Sequence, residues 1–433
     1  MMPRYWIRWM VEQGAPRWVM RWQARRGDPF GKLHTEPEAR RDPYPLIEEL
    51  RERGRLVRTP YAWIATDYEL TRSMLRDNRF GVFILDNVNT PAPLRAVVRR
   101  AALPANPVEP PSMLTIDPPD HTRIRKSVSA AFTPRAVGRL RDRVESVTAE
   151  LIDALGANGS TDLVADFAAQ VPIAIISEML GFPDEMRAEF LEWGDRTTPM
   201  LDLGLTWRSW RGAAGAITQM DRYLDGHIAR LRREPGEDIL SSLVTAGHLD
   251  ERELKATATL LMGAGFETTV NLIGNAVVQL LAHPEQLARL RAEPDLWAGA
   301  VEEVLRFDPP VRTTARQALC DVELDGVRLR RGAVVVLSLA GANRDPRMFA
   351  DPNRFDITRS NAREHLTFSS GIHTCLGAAL ARMEATHALR TLFEQFPELS
   401  LAGEPKLREL FTLHGYQRMP VTLGNRAHAP VQP

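Results

Sequence analysis

The chain has 433 residues, of which 44% are hydrophobic and 25% are charged, a balance that suits a large globular core and excludes a disordered chain. Its 55 basic and 55 acidic residues give a formal net charge of +0, so no global field favours nucleic acid or another strongly charged partner. The two cysteines supply neither a disulfide framework nor a multi-cysteine zinc site. We therefore expect a cytoplasmic protein that does not bind nucleic acid.

Residues 1–30 form a distinct segment in which four tryptophans are set among many arginines. Its apolar runs are too short to span a bilayer, and it lacks the continuous apolar core of a signal peptide. If the segment is helical, Trp18, Val19 and Trp22 share one face. That face could dock on the chain's own domain, as most amphipathic helices do, or it could lie on a membrane surface as a peripheral contact. The pattern favours docking and leaves the membrane contact open.

Strand-like sequence is confined to residues 56–65 and 320–340, and the second stretch contains an Asp325-Gly326 hairpin signal. Between residues 80 and 120 a proline-rich region opposes one continuous helix. Long irregular loops of this kind in compact domains are often functional.

Most of the remaining sequence has apolar residues at helical spacing. The longest such run, residues 251–284, is mostly apolar and ends at a His-Pro pair, which predicts a buried central helix. No repeat or linker divides the chain. We therefore expect one mainly α-helical domain with small β-sheets over residues 31–433, preceded by the tryptophan-rich segment.

One of the two cysteines, Cys375, lies in "FSSGIHTCLG", between a glycine-bearing loop and an Ala/Leu-rich helix. At a helix N-terminus, unpaired N–H groups and the helix dipole stabilise a thiolate. Gly377 has no side chain, so a flat group could approach closely, and such a thiolate can bind haem iron. A buried inert cysteine, a nucleophile with His373 as its base, and a zinc site with His365 and His373 remain alternatives at this point.

The long helix contains "AGFETT", residues 264–269, inside its apolar stretch. Ala264, Gly265 and Thr268 predict a shallow face of small side chains, and the Thr268 hydroxyl can bond the carbonyl four residues earlier. Glu267 places a carboxylate beside that hydroxyl, and a buried carboxylate is costly without a purpose. The pair suits dioxygen binding and proton delivery. A helix-packing seam of small residues is the alternative.

These motifs together resemble those of the cytochrome P450 superfamily. "FSSGIHTCLG" is similar to its haem-binding loop, with Ser369 where many members have glycine, and "AGFET" is similar to its oxygen-activation motif. "DPPDHTRIRKSVSAAFTP" resembles the helix that binds a haem propionate, "EEVLR" contains a Glu-x-x-Arg pair, and "DPNRFD" contains an arginine expected beside that pair. The resemblance covers nearly the whole chain in order, in the style of bacterial actinobacterial-type members.

The resemblance assigns roles to several residues beyond the cysteine. The residues that it implies for haem binding, with Cys375 as the axial ligand of the iron, are His121, Arg125, Arg316, His373, Cys375 and Gly377. It implies a buried network of Glu303, Arg306 and Arg354 that shapes the cysteine loop. Glu303 and Arg306 taken alone are equally consistent with an ordinary pair on a helix surface.

A mainly apolar small-molecule substrate is expected above the haem. The residues that we expect to line its pocket, from their apolar character on the long helix or from the resemblance, are Phe83, Val88, Leu260, Leu261, Ala264, Val311 and Thr314. Some of these residues could instead pack only the core.

The resemblance implies monooxygenation, in which one atom of O₂ enters the substrate and Glu267 and Thr268 help to deliver protons. The cofactor is haem b, not covalently attached, since no C-x-x-C-H motif is present. No reductase segment is recognisable, so electrons are expected from NAD(P)H through an external ferredoxin and ferredoxin reductase, docked near Arg123, Lys126 and Arg382. A haem-thiolate peroxygenase and a non-catalytic haem-binding sensor or carrier are the alternatives.

Overall fold

The computed structural model describes residues 2–83, 98, 100–155 and 160–427. Its architecture is mainly α-helical with small β-sheets, as the sequence predicts. The α-helices discussed here are α1 Met2–Trp9, α2 Ala15–Ala24, α3 Pro29–Thr35, α4 Pro37–Arg41, α5 Tyr44–Arg53, α6 Tyr68–Arg76, α7 Asp120–Ser129, α8 Pro134–Gly138, α9 Arg141–Leu155, α10 Gln170–Met179, α11 Arg187–Thr197, α12 Trp207–Arg233, α13 Ile239–Ala246, α14 Glu251–Ala282, α15 Pro284–Ala292, α16 Trp297–Phe307, α17 Leu339–Ala342 and α18 Ala378–Gln395.

The strands are short. In chain order they are β1 Leu56–Arg58, β2 Trp63–Ala65, β3 Phe80–Val82, β4 Ser160–Asp162, β5 Thr313–Ala318, β6 Val322–Leu324, β7 Val327–Leu329, β8 Val334–Ser338, β9 Ser400–Leu401, β10 Lys406–Leu407, β11 Tyr416–Arg418 and β12 Pro420–Thr422.

A five-stranded sheet has the order β1-β2-β8-β5-β3, in which only the β2–β8 pair is parallel. The expected Asp-Gly hairpin joins β6 to β7, and Asp325 and Gly326 both have positive φ, at 52° and 74°. That backbone conformation is what a two-residue turn between right-twisted strands requires. The sheet brings β5 against β3, and this pairing places Arg316 opposite Val82.

The predicted central helix is confirmed as α14, which spans 32 residues. It begins with a capping box: the Asp250 carboxylate accepts a hydrogen bond from the Glu253 N–H at 2.8 Å, and the Glu253 carboxylate accepts one from the Asp250 N–H at 3.0 Å. It ends at Ala282, and His283 separates it from Pro284, which cannot continue the ladder of helical hydrogen bonds.

The largest cluster of buried apolar side chains surrounds α14 and joins it to α10, α16 and α18. A smaller cluster lies on the five-stranded sheet. The cysteine loop, residues 368–377, precedes α18, so the packing of α18 on α14 fixes where the loop stands relative to the central helix. Among the helices of the described ranges, none combines the length and apolar composition that crossing a bilayer requires.

Candidate active site

The backbone of the cysteine loop is held by its own hydrogen bonds. The Cys375 N–H donates to the carbonyl oxygen of Phe368 at 2.8 Å, and the Thr374 N–H donates to that of Gly371 at 3.1 Å. Gly371 has φ of 75°, and a Cβ there would meet the carbonyl oxygen of Leu75 at 2.5 Å. Only glycine fits this turn, because it tolerates both the left-handed backbone and the close approach of α6.

Ser369 also has a left-handed backbone, with φ of 62°. Non-glycine residues adopt this region at a cost of roughly 1–2 kcal/mol. Glycine adopts this conformation without strain, which agrees with the glycine that the family resemblance leads us to expect at this position. The serine is accommodated because the hydrogen bonds around it hold the backbone of the loop in this conformation.

Cys375 stands two residues before Gly377, the N-cap of α18, and the Gly377 N–H donates a hydrogen bond to it. Burial among the surrounding protein atoms raises the pKa of the Cys375 thiol, and this effect outweighs the Gly377 N–H and the charges of Arg125 and Arg382, which lower the pKa. By its accessible surface the residue is nevertheless exposed, so Cys375 is not sealed within the core. The N–H group at the start of α18 lowers the pKa of the thiol, in the direction expected from the sequence, but desolvation by burial is the larger effect.

Four of the side chains expected to bind a haem propionate come together from three elements. The rings of His121 on α7 and His373 in the cysteine loop have centroids 4.1 Å apart. Arg125, one turn after His121, donates from Nη2 to the carbonyl oxygen of Thr374 at 2.6 Å and ties α7 to the loop. Arg316 is buried on β5, and its positive charge helps to lower the pKa of His373.

This cluster is rich in donors and poor in acceptors. Burial lowers the pKa of His373 to about 3, assisted by His121, Arg316 and Arg125. Burial likewise lowers the pKa of Arg316 to about 10, with the carboxylate of Asp117 opposing it. Buried nitrogens of both histidines have no hydrogen-bond partner among the described residues. Buried polar groups are normally paired. The cluster therefore fits anionic groups such as the two carboxylates of haem b.

Ala264 is exposed in the middle of α14, where most of the surrounding residues of the helix are buried. Thr268, one turn later, donates from Oγ1 to the Ala264 carbonyl oxygen at 3.2 Å, as the sequence predicts. Gly265 does not share this face: a Cβ there would meet the Ile176 side chain on α10 at 2.7 Å. Gly265 thus allows two helices to pack closely, and the open face belongs to Ala264 and Thr268.

Glu267 is buried, and burial raises the pKa of its carboxyl group. Arg408 opposes this shift, with its Nε 3.2 Å from Oε1 of Glu267, whereas the negative charge of Asp195 adds to it. Arg408 also donates from Nη1 to Asp195 at 2.6 Å, and that carboxylate is half exposed. A chain of alternating charges therefore runs from the protein surface to Glu267.

The Glu-x-x-Arg pair of α16 is completely buried. Arg306 donates to both oxygens of Glu303, each at 2.7 Å, and uses its remaining N–H groups on the carbonyl oxygens of Asn343, Pro352 and Arg354. The pair is therefore no ordinary surface pair. All five guanidinium donors are used, so the residue ties α16 to the chain segments that precede the cysteine loop.

The structure corrects the expected role of Arg354. Its side chain is exposed, and only its carbonyl oxygen joins the network. The second guanidinium on Glu303 belongs to Arg359, whose Nε lies 3.3 Å from Oε1 and Oε2 of that carboxylate. Both arginines lie in "DPNRFDITR", and the sequence does not distinguish which one the turn after Pro352 directs inward.

The residues expected around the substrate lie on separate elements. Leu260 and Leu261 are buried on α14, about one turn before Ala264. Phe83 is half-buried and directly follows β3. Val88 lies outside the described residues.

Two further pocket residues flank the start of β5. Val311 forms an isolated antiparallel bridge with Leu413, and Thr314 pairs with Leu337 of β8. The Thr314 hydroxyl accepts a hydrogen bond from Arg316 Nη1 at 3.2 Å. This contact links a predicted pocket residue to a predicted haem-binding residue.

The expected docking arginines are already engaged. Arg123 pairs with Asp120 at 3.0 Å and with the capping residue Glu253. Arg382 donates to Glu302 at 2.7 Å and lies over the ring of Phe368. These two arginines hold α7 and the cysteine loop in place.

Sequence reasoning did not single out Glu384. Glu384 on α18 is completely buried, and burial raises its pKa to about 8, with the hydroxyl of Thr269 on α14 opposing. His365, an alternative zinc ligand, instead bonds Glu302 at 3.1 Å and accepts from the Thr367 N–H at 3.2 Å. The described ranges contain no cluster of three or more metal-ligating side chains. The only sequence signal for Glu384 is an acid on the apolar side of a helix.

Comparison with known proteins extends these observations. The family model for cytochrome P450 matches residues 105–413. Cytochrome P450 140 of Mycobacterium tuberculosis (strain ATCC 25618 / H37Rv) is 45% identical over 427 residues, covering 96% of this chain and 97% of the relative. The 6-deoxyerythronolide B hydroxylase of Saccharopolyspora erythraea is 42% identical over 320 residues, covering 72% of this chain and 78% of the relative.

Among solved structures, P450BioI in complex with an acyl carrier protein ligated to hexadec-9Z-enoic acid has a TM-score of 0.81 and 35% identity. The match covers 89% of this chain and 100% of that chain. Fold and sequence together define a haem-thiolate oxygenase. The chain belongs to the cytochrome P450 family and is a P450 monooxygenase with haem as its cofactor.

Proposed function

We propose that this enzyme inserts one atom of O₂ into a mainly apolar small molecule, with electrons from NAD(P)H delivered by a ferredoxin and its reductase. The observation that supports this proposal most strongly is that the exposed Cys375 stands beside a buried cluster of histidines and arginines whose histidine nitrogens have no hydrogen-bond partner among the described residues. No ordinary buried cysteine would need such a cluster.

Cys375 would bind the haem iron, and His121, Arg125, Arg316 and His373 would hold the propionates. Arg125 and Arg316 have the forked donors that suit carboxylates. Gly377 leaves space on its Cβ side, since nothing lies within 4 Å of a Cβ built there. When bound, haem supplies the iron that activates O₂, and a thiolate ligand favours O–O cleavage; a coordinated metal ion deprotonates a thiol outright, which overcomes the raised pKa of Cys375.

Thr268 and Glu267 would move protons to the open face of α14. The Thr268 hydroxyl donates to the Ala264 carbonyl oxygen and keeps its lone pairs available as acceptors. Burial raises the pKa of Glu267, and the charge of Arg408 opposes that shift. Arg408 and Asp195 connect it to solvent.

We infer an apolar substrate from the apolar side chains on the open face of α14. Ala264 is an exposed position in the middle of α14, and Leu260 lies one turn before it on the same side of the helix. The names of two similar proteins refer to 6-deoxyerythronolide B and to hexadec-9Z-enoic acid on an acyl carrier protein. Replacing Ala264 by leucine should block large ligands without loss of haem; equal binding of the same ligands would contradict this pocket.

For the electron donor we propose a docking surface beside the cysteine loop, centred on Arg76 and Lys126. Both side chains are exposed, and the backbone of Arg76 lies against Gly371. Lys126 is retained from the cations expected from the sequence and Arg76 is added, whereas Arg123 and Arg382 are left out because both are engaged in ion pairs. An acidic ferredoxin in the cytoplasm would be attracted there, and the attraction should weaken with salt.

Product formation with different electron sources tests the reaction class. We expect turnover of a substrate with NADPH, ferredoxin and ferredoxin reductase, and a red-shifted Soret band for the reduced, CO-bound protein. Turnover with peroxide alone would identify a peroxygenase, and haem binding without turnover from either source would identify a sensor or carrier. A Cys375→Ala protein that kept the red-shifted band would refute the proposed ligand.

A further inference from the structure

The helices α1 and α2 are joined by a π-helical turn, Met10–Gly14, into one continuous rod. One side of this rod is fastened to the connection between α11 and α12. The Gln13 side-chain oxygen accepts hydrogen bonds from the N–H groups of Gly204 and Leu205 at 2.7 and 3.1 Å, and Trp9 Nε1 donates to the Leu205 carbonyl oxygen at 2.9 Å. Met20 is buried beneath α2. The rod therefore has a fixed orientation on the protein.

The opposite side of the rod carries large aromatic side chains in solvent. Trp18 is 69% exposed, Trp6 46% and Trp22 38%. The π-turn takes up one extra residue, so Trp6 and Trp18 are separated by about three turns of ~3.6 residues and lie on the same side of the rod. Trp22 follows Trp18 by one turn. A row of exposed tryptophans marks an interaction surface, because an indole ring gains most where its apolar body is buried and its N–H stays near water.

The same surface is positively charged. Of the six arginines in residues 1–27, Arg8 is buried and pairs with Glu109 and with Glu12, the single carboxylate of this segment, and Arg17 donates to the Gly204 carbonyl oxygen at 2.6 Å. The other four arginines are exposed. Arg21, Arg25 and Arg26 are exposed between and beyond the tryptophans. The Arg26 guanidinium lies 3.6 Å from the centre of the Trp22 ring, a cation–π contact. This concentration of charge is local, since the chain as a whole has a formal net charge of +0.

We propose that this rod binds the surface of an anionic lipid bilayer, lying in the plane of the interface. The tryptophans would enter the headgroup region, and the arginines would pair with lipid phosphates. A second copy of the chain is a poorer partner, because it would bring two arginine-rich surfaces together. An acidic protein would satisfy the arginines but gives no reason for a row of exposed tryptophans. Bound in this way, the protein would hold the connection between α11 and α12 next to the lipid.

The test uses the haem-loaded full chain and vesicles of phosphatidylcholine with or without phosphatidylglycerol, separated by flotation. Two double variants remove the surface: Trp18→Ser with Trp22→Ser, and Arg21→Glu with Arg25→Glu. Their matched controls alter exposed side chains elsewhere, namely Leu401→Ser, and Arg330→Glu with Arg331→Glu on the turn after β7. The reduced, CO-bound spectrum of each variant verifies that its haem site is intact.

We expect the wild-type protein and both controls to bind the anionic vesicles, more weakly at high salt, and to leave the neutral vesicles unbound. Both double variants should lose at least tenfold in vesicle affinity. The proposal is overturned if the wild-type protein does not bind anionic vesicles, or if the surface variants bind as well as their controls. It is equally overturned if the protein forms a dimer, the Trp18→Ser with Trp22→Ser variant is monomeric, and no vesicle binding occurs. The tryptophans would then support self-association only.

Discussion

Replacing the buried Glu384 by glutamine should change how the stability of the protein depends on pH. Burial raises the pKa of Glu384 from 4.5 to about 8, and neither carboxyl oxygen has a hydrogen-bond partner of good geometry among the described residues. The folded protein therefore keeps a proton that the unfolded chain releases at about pH 4.5. The stabilisation that this proton provides is fully present below pH 4.5 and is lost as the pH rises toward 8.

The size of the effect follows from the pKa difference. At ~1.4 kcal/mol for each tenfold change in proton concentration, the free energy of unfolding should fall by about 3 kcal/mol between pH 5.5 and pH 8 on account of Glu384 alone. Glutamine is neutral at every pH, and its side chain has nearly the same shape as that of glutamic acid. Glu384→Gln should therefore flatten the pH profile and exceed the wild-type stability at pH 8, while differing little from it at pH 5.5.

Urea unfolding of the haem-loaded protein, followed by circular dichroism at several pH values, measures this difference. Glu394→Gln is the control, because Glu394 lies on the same helix but is exposed and pairs with Arg390 at 2.7 Å. Its effect should stay below ~1 kcal/mol at every pH. The reasoning fails if Glu384→Gln loses stability between pH 5.5 and pH 8 as steeply as the wild-type protein.

Four further predictions address the cysteine loop and α14. Ser369→Gly should stabilise the protein by ~1 kcal/mol in urea unfolding, because glycine adopts a φ of 62° without strain; an unchanged midpoint would contradict this. Glu303→Gln should cost ~3–5 kcal/mol of unfolding free energy and shift the CO-bound spectrum away from the thiolate form, since it leaves a guanidinium buried without its charge partner. Arg408→Met should raise the pKa of Glu267 further and move the pH profile of product formation to higher pH; an unmoved profile would exclude Arg408 from proton delivery. Thr268→Ala should bind haem and substrate normally but divert electrons to peroxide, and unchanged coupling of NADPH use to product would count against its role.

The sequence by itself determined the elements whose signals are local. The central helix follows from a long apolar run with a capping residue before it and Pro284 after it, and the β6–β7 hairpin follows from Asp325-Gly326. The spacing of Thr268 from Ala264 likewise fixed their hydrogen bond, because four residues make one helical turn. The family was recognisable because its motifs are short, ordered and specific.

Only the tertiary structure decided which side chains meet across elements. Arg359 rather than Arg354 reaches Glu303, since the turn after Pro352 sets which of two nearby arginines points inward. Gly265 packs on Ile176 instead of widening the open face of α14, and Arg408 approaches Glu267 from residues far along the chain. Burial, which raises the pKa of Cys375 and Glu384, depends on all the atoms packed around a group. Desolvation and ion pairing between distant residues depend on which atoms lie close together in space. The spacing of residues along the chain does not specify those atoms.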